Sequence, residues 1–218
     1  PEAQKQQIGA TLDCITDKLF KADGTFDLKG RLEGNGTLDE LVKSTSGSFH
    51  ISTSDGHLYR DIVLLNVLKF LNTAEVLTHR LSPDEMRKKG IGFDQFELDL
   101  TLQGAKLKYE SFTFDGDEIK LSGTGEVDLL NKQLEFTLLV TTQKLASTLL
   151  GHIPLVGGVL QTIATIPLTV KGRFGDIHVL PLAPAAVGHE LKELTEQTLG
   201  VPLNLVHLHD FHQTKRHD

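Results

Sequence analysis

The chain has 218 residues, with 29 acidic and 22 basic side chains and a net charge of −7. Its 39% content of hydrophobic residues excludes wholesale disorder, and its acidic balance without a basic stretch argues against a nucleic-acid-binding protein. The single cysteine, Cys14, excludes an intrachain disulfide. Because the chain opens with Pro1 and has no signal-like segment, we interpret it as part of a longer polypeptide.

We expect a single domain over residues 1–218, with a poorly defined segment at 1–22 and a His-rich tail at 207–218. Apolar and polar side chains alternate in short runs along most of the chain, which predicts strands with one apolar and one solvated face. Hairpin turns are predicted at Asp23-Gly24, Asp55-Gly56 and Asp115-Gly116. Hairpins imply an antiparallel sheet.

The clearest strand alternates from Phe96 to Leu102. The apolar side chains change from odd-numbered to even-numbered positions between Tyr109 and Phe112. This change predicts a β-bulge near Ser111 that keeps both halves of the strand on the apolar face. Further strands are predicted from the alternation of Phe26, Leu28 and Leu32; Phe49 and Ile51; Ile119 and Leu121; Val127 and Leu129; Leu134, Phe136, Leu138 and Val140; and Ile166, Leu168, Val170 and Phe174.

Four segments have the spacing of helices. A capping box at Thr37 and Glu40 predicts a short helix, and leucines at helical spacing predict another over about 61–79. A third helix is predicted from Ser82 to Gly90, and a fourth from about Pro184 to Leu199.

The stretch from Leu149 to Val170 is mostly apolar but contains two prolines and the Gly157-Gly158 pair. These breaks argue against a membrane-spanning helix, which needs roughly 20 uninterrupted apolar residues. They predict an amphipathic segment, a loop and a returning strand. The segment would form a helical hairpin over the sheet or lie in a membrane interface.

Catalytic motifs are missing from the sequence. There is no nucleophile elbow, no phosphate-binding loop and no His-Glu-x-x-His zinc helix, so we expect a protein that is not an enzyme and that uses no cofactor or metal. Oxygen ligands at Asp115, Asp117 and Glu118 could bind calcium, but a hairpin tip is the simpler interpretation. The histidines of the tail, among them His207 and His209, are expected to bind metal only adventitiously.

The one-sided strands must bury their apolar faces against something. A second sheet would give a sandwich, closure would give a barrel, and a curved sheet partly covered by amphipathic helices would give a groove that receives acyl chains. The periodicity alone leaves these alternatives open.

An ordered series of segments resembles the C-terminal region of AsmA-family proteins. The segments are LKFLNTAEVL at 68–77, KGIGF at 89–93, GTGEVDL at 123–129, IPLVGG at 153–158, IPLTVKG at 166–172 and VLPLAP at 179–184. The resemblance covers about residues 24–206. It departs from the family pattern at Gly175-Asp176, where an Asp-Pro pair is common.

The resemblance implies a periplasmic, inner-membrane-anchored protein of a Gram-negative bacterium that reaches the outer membrane and transfers phospholipid between the two membranes through a β-sheet groove. The expected fold is mainly β with helices, a curved antiparallel sheet forming that groove. The expected partners are phospholipid acyl chains and the membrane surface, and an envelope protein is a further candidate partner.

We therefore predict a non-enzymatic lipid-binding module. The alternative is a scaffold that pairs with partner proteins through open strand edges. The predicted groove lining is Phe96, Leu98, Leu100, Leu102, Phe112, Phe114, Leu134, Phe136 and Leu138. The predicted membrane contacts are Leu149, Leu150, Ile153, Leu155, Val156, Val159, Leu160 and Ile163.

Overall fold

The computed structural model describes residues 2–9, 21–37, 43–60, 62–73, 89–117, 119–142, 163–200 and 202–205. The strands are β1 Glu2–Gln7, β2 Lys21–Glu33, β3 Ser46–Arg60, β4 Ile91–Gln103, β5 Lys106–Gly116, β6 Ile119–Asp128, β7 Gln133–Thr142, β8 Ile163–Arg173, β9 Asp176–Pro181 and β10 Leu203–Leu205. Two longer helices are described, α1 Ile62–Thr73 and α2 His189–Leu199, together with a 3₁₀ turn at Pro184–Ala186.

The strands form one ten-stranded sheet that is not closed. From β1 to β9 each strand pairs antiparallel with the next strand in sequence. The short β10 pairs parallel with the first residues of β8, beside the edge that β9 occupies further along. The predicted mainly β, antiparallel fold is thus confirmed.

Tight connections gather at one end of the sheet, which we call the turn end. There β4 passes to β5 through Gly104 and Ala105, β6 to β7 through residues 129–132, and β8 to β9 through Phe174 and Gly175. The glycines at 104 and 175 have φ angles of +59° and +93°, which favour glycine in such short turns. The end of β2 lies at the same end, because Glu33 pairs with Ser46 and Ser46 pairs with Gln103.

The two helices pack on opposite faces of the sheet. Successive residues of a strand point to opposite faces, and Leu138, Leu139 and Val140 of β7 are all buried. Leu138 and Val140 belong to a large hydrophobic core that includes Leu64, Val67, Leu68 and Leu71 of α1. Leu139 belongs to a smaller core with Leu191 of α2 and Leu203 of β10.

Two of the predicted hairpin turns are wrong. Asp23-Gly24 lies inside β2 and Asp55-Gly56 inside β3, where the two pairs face each other across a shift of register between Asp23 and Thr25. Gly24 and Asp55 have φ angles of +113° and +54°. An Asp-Gly pair provides the positive φ that a hairpin needs, and a bulge within a long strand needs the same conformation.

Other predictions on the strands are confirmed. The register of β5 with β6 shifts between Tyr109 and Phe112, which is the bulge expected near Ser111. Asp115-Gly116 ends β5 just before β6 begins at Ile119, as a hairpin connection requires. Leu129 and Phe174, which were predicted as strand residues, lie instead in the turns that follow β6 and β8.

The predicted helices are confirmed only in part. The helix predicted over 61–79 is present as α1, and residues 74–79 lie outside the described residues. The helix predicted from Pro184 begins only at His189, because Val187 and Gly188 are extended, with ψ angles of 124° and 150°. It ends at Gly200, whose φ of +68° gives the expected left-handed cap. The helices predicted at 37–40 and 82–90 fall largely outside the described residues.

Candidate functional site

The apolar face of the sheet is the candidate functional surface. Directly paired residues of neighbouring strands share a face, so the strand register defines rows of side chains that cross the sheet. Four adjacent rows are almost wholly apolar, and together we call them the apolar wall. The rows are Phe26, Thr53, Phe96, Phe114, Leu121, Val140 and Ile166; Leu28, Ile51, Leu98, Phe112, Gly123, Leu138 and Leu168; Gly30, Phe49, Leu100, Tyr109, Gly125, Phe136, Val170 and Val179; and Leu32, Gly47, Leu102, Leu107, Val127, Leu134, Gly172 and Ile177.

Glycines within the wall lie beneath aromatic rings. A Cβ added at Gly125 would overlap the ring of Phe136, and one at Gly123 would overlap the ring of Phe112. Gly30 is crowded by Phe49 in the same way. Because these glycines have no side chain, the rings lie directly against the backbone and cover it at the glycine positions.

Burial of the wall differs between its two halves. From β5 to β8 most wall residues are buried, and many of them share the larger hydrophobic core with residues of α1. From β2 to β4 the wall is mostly half-buried, and Leu28, Phe49 and Leu100 belong to neither hydrophobic core. Among the described residues, α1 is the only helix that adds buried side chains to this face.

All of the predicted lining residues lie on this wall. Phe96, Leu98, Leu100 and Leu102 are the β4 members of the four rows, and the others occupy β5 and β7. Leu98, Phe114, Leu134, Phe136 and Leu138 are buried, whereas Phe96, Leu100, Leu102 and Phe112 are half-buried. The structure therefore brings the predicted residues together on one face, and their contact with lipid stays a prediction.

The predicted membrane contacts are almost all outside the described residues. Only Ile163 is described, as the first residue of β8, where it pairs with Leu203 of β10. In the described parts of the chain, no helix has both the length and the apolar character needed to cross a bilayer.

One polar atom interrupts the wall. Thr53 is 8% exposed, and its Oγ1 has no hydrogen-bond partner in the described part of the chain. It lies between Phe26 and Phe96 in the first row. A buried hydroxyl without a partner is uncommon because no hydrogen bond offsets the free energy of its desolvation. The sequence alone gives no sign of this feature, since threonine is an ordinary strand residue.

Outside the smaller core around Leu139, the opposite face of the sheet is largely polar. It bears a depression of about 1030 Å³ near the turn end, lined by charged side chains of β5–β9 and by Glu190 of α2. The charges in it are largely matched: Lys106 Nζ lies 3.0 Å from Glu126 Oε1, and Lys108 Nζ lies 2.6 Å from Glu110 Oε2. This depression is therefore a solvated surface of mixed charge and is separate from the apolar wall.

Hydrogen bonds shift the pKa values of several of these charged side chains. Lys108 donates to Glu110, which raises the pKa of Lys108 and lowers the pKa of Glu110. Glu126 raises the pKa of Lys106 in the same way. These shifts favour the charged forms of Lys106, Lys108 and Glu110. No group of three or more ligand-type side chains that could hold a metal ion occurs among the residues that the structure describes.

Comparison with protein-family models, with curated proteins and with solved structures finds no match to this chain.

Proposed function

We propose that this protein is a non-enzymatic lipid-binding module whose apolar wall contacts phospholipid acyl chains. The observation that supports the proposal best is the continuity of the wall, which runs through the register from β2 to β9. In its β2–β4 half the wall carries large side chains that no hydrophobic core of the described residues includes, such as Leu28, Phe49 and Leu100.

Acyl chains fit this surface because their binding is driven by area and needs no directional partner. Burial of one methylene contributes about 0.8 kcal/mol, so a chain that lies across several rows gains substantial free energy. The rings of Phe49 and Phe112 lie over glycines, and both side chains are only half-buried, so they offer apolar area to such a chain. Head groups would stay in water along the open side of a groove formed by the sheet.

The resemblance to AsmA-family proteins adds the biological setting of the proposal. In that setting the module belongs to a longer periplasmic protein that transfers phospholipid between the inner and outer membranes and serves outer-membrane biogenesis. The groove and its helical covering are part of this proposal.

Photocrosslinking in a bacterial host tests the function. A photoreactive phenylalanine analogue is introduced at Leu100 on the wall or at Thr101, the next residue of β4, which points to the polar face. We expect phospholipid crosslinked to position 100 and little at position 101. Equal labelling at both positions, or no lipid at either, would contradict lipid binding on the wall.

A second measurement separates binding from folding. Organic extracts of purified wild type, Leu100→Asn and Thr101→Asn are assayed for phospholipid, and circular dichroism follows the fold. We expect the wall variant to retain the β-sheet signal but to carry several-fold less lipid than the other two. If Leu100→Asn carries as much lipid as the wild type, the wall is not the binding surface.

A scaffold is the second candidate, supported by the open sheet. In the described part of the chain β1 pairs only with β2, so its other edge is available for β-augmentation by a partner. The same photoreactive residue at Gln6 in β1 discriminates the two candidates. Crosslinks to protein at Gln6 without crosslinks to lipid at Leu100 would favour the scaffold.

A further inference from the structure

The connection that follows β2 contains an exposed Asn-Gly pair. Residues 34–37 lie outside the strands, and all of them, including Asn35 and Gly36, are exposed. Gly36 has a φ of +120°, a conformation that glycine adopts without steric strain. Asparagine is a chemically labile residue, and its side-chain amide is least stable before glycine, because no Cβ obstructs the nitrogen that follows. The chain has five asparagines, and Asn35 is the one that glycine follows.

The reacting groups of this pair are not engaged within the described part of the chain. Ser44 Oγ donates a hydrogen bond to the backbone oxygen of Asn35. Among the described residues, no hydrogen bond involves the side-chain amide of Asn35 or the N–H of Gly36. The contact with Ser44 therefore holds the backbone carbonyl and leaves the amide and the nitrogen that can attack it unrestrained.

The other asparagines are in protected surroundings. Asn66 and Asn72 lie within α1, and Asn204 lies in β10. In these elements the backbone cannot turn the next nitrogen toward the side chain without losing backbone hydrogen bonds. Asn131 is exposed in a turn, but its side-chain amide donates to Asp128 Oδ2 at 2.8 Å, and its N–H donates to Oδ1 at 2.9 Å. The residue after Asn131 also carries a side chain, so the exposed Asn-Gly pair has no equivalent elsewhere in the chain.

We propose that Asn35 is a site of spontaneous deamidation whose main product is isoaspartate. The nitrogen of Gly36 loses its proton to hydroxide or buffer base and attacks Cγ of Asn35. A carbon–nitrogen bond closes a five-membered succinimide, the bond from Cγ to Nδ2 breaks, and ammonia leaves with a proton from water. The reaction consumes no oxidant or reductant and needs no partner protein.

Water then opens the succinimide ring at one of its two carbonyl carbons. Attack at the former backbone carbonyl carbon of Asn35 breaks its bond to the nitrogen of Gly36, so the chain continues through Cγ as isoaspartate. Attack at Cγ gives ordinary aspartate. The backbone carbonyl carbon is the more electrophilic of the two, because the electron-withdrawing amide nitrogen of residue 35 lies next to it. We therefore expect isoaspartate in excess.

The product changes both charge and backbone at the turn end of the sheet. Deamidation adds one negative charge near exposed Glu33, in a chain whose net charge is already −7. The isoaspartyl linkage also adds a methylene to the backbone between β2 and β3, where Ser44 contacts Asn35. This chemistry belongs to the connection itself and is independent of lipid binding on the apolar wall.

Ageing of the purified chain tests the proposal. The folded protein is kept for days in warm, mildly alkaline buffer, and its peptides are then analysed by mass spectrometry. An isoaspartyl methyltransferase with labelled S-adenosylmethionine detects isoaspartate. We expect the peptide that contains Asn35 to change progressively from amide to carboxylate and to accept most of the label. The rate should rise with pH, because base removes the proton of Gly36.

Matched variants separate this pair from general ageing of the protein. Asn35→Gln keeps an amide but should lose the label, because the longer side chain must close a less favourable six-membered ring. Asn131→Gln should be labelled like the wild type. Within the wild-type digest, the peptide that contains Asn131 is an internal control, and its conversion should be several-fold slower than that of Asn35. Circular dichroism follows the fold in each sample.

A synthetic peptide of residues 31–37 gives the rate for an unrestrained chain. If this peptide converts while Asn35 in the folded protein does not, the connection shields the amide and the proposal is overturned. Equal conversion at Asn35 and Asn131 would also overturn it, because the exposed pair would then have no selective reactivity. Label that persists in Asn35→Gln would place the isoaspartate at another residue.

Discussion

Leu138 and Leu139 are neighbours in β7, and each is 1% exposed, yet they are buried in two different hydrophobic cores. Leu138 faces the core that contains α1, and Leu139 faces the core that contains α2 and β10. Side chains on both faces of the sheet are therefore buried at this place in β7. From β4 toward β2 the residues of the apolar wall are mostly half-buried, so this part of the candidate surface is the more accessible one.

A double-mutant cycle tests this two-sided burial. We expect Leu138→Ala and Leu139→Ala each to lower the free energy of unfolding by about 2–5 kcal/mol, because each leaves a cavity. Leu139→Ala combined with Leu191→Ala should show a coupling of about 0.5–3 kcal/mol, because both residues belong to the smaller core. Leu138→Ala and Leu191→Ala should be additive in urea denaturation. Equal coupling in both pairs would contradict the separation of the cores.

The ring over Gly125 gives a second prediction. Gly125→Ala should destabilise the protein by about 1–3 kcal/mol, because the new Cβ overlaps the ring of Phe136 and forces a shift in the wall. Thr124→Ala, one residue away on the polar face, should cost less than about 1 kcal/mol. Thermal denaturation of the two variants compares them. If both lose the same stability, the effect comes from the strand and not from the ring.

Thr53 gives a prediction of the opposite sign. Its Oγ1 is buried without a partner in the described part of the chain, so Thr53→Val should raise the free energy of unfolding by about 1–3 kcal/mol. Thr113, which is also buried, has no such orphan atom, and Thr113→Val is the control. Chemical denaturation measures both variants. A loss of stability in Thr53→Val would show that the hydroxyl has a partner in solution.

The contact between Asp23 and Tyr59 predicts a dependence on pH. The Tyr59 hydroxyl donates to Asp23 Oδ2 at 2.7 Å; this bond lowers the pKa of Asp23 below its usual 3.8 and raises the pKa of Tyr59 above its usual 10.0. The contribution of Asp23 is present above its unfolded pKa and is lost as pH falls through the lowered folded value. The contribution of Tyr59 is present below its unfolded pKa and is lost as pH rises through the raised folded value.

The stability difference between wild type and Tyr59→Phe should therefore be largest near neutral pH and shrink at both extremes. Urea denaturation across the pH range measures it. Tyr109→Phe, which alters a hydroxyl elsewhere in the sheet, is a control for general effects of tyrosine ionisation. A difference that does not change with pH would contradict the coupling.

Local patterns predicted the strands better than the irregularities within them. The alternation from Phe96 to Leu102 and the parity change at Ser111 are properties of one strand, and the structure contains both. Asp23-Gly24 and Asp55-Gly56 have the local chemistry of turns, but the pairing of β2 with β3 makes them opposed bulges. Whether such a pair forms a turn or a bulge depends on the strand that lies opposite it. A single sequence does not show which strand that is.

The candidate surface shows the same limit. Which residues share the wall follows from alternation, so all of the predicted lining residues lie on one face. Which of them are buried does not follow from alternation: Leu138 lies in the core that includes residues of α1, whereas Leu100 is half-buried and lies in neither core of the described residues. The fit of Gly125 beneath Phe136 depends on the register of β6 with β7 and could not be predicted from either strand alone.

The order of the strands also bears on how the chain folds. From β1 to β9 every strand pairs with its neighbour in sequence, so each hairpin can form as soon as its second strand is available. A polypeptide that emerges from its amino end, during synthesis or after translocation, can extend such a sheet strand by strand. Only β10 must wait, because its parallel pairing with β8 follows β9 and α2 in sequence, so the last residues of the sheet complete a structure that is already assembled.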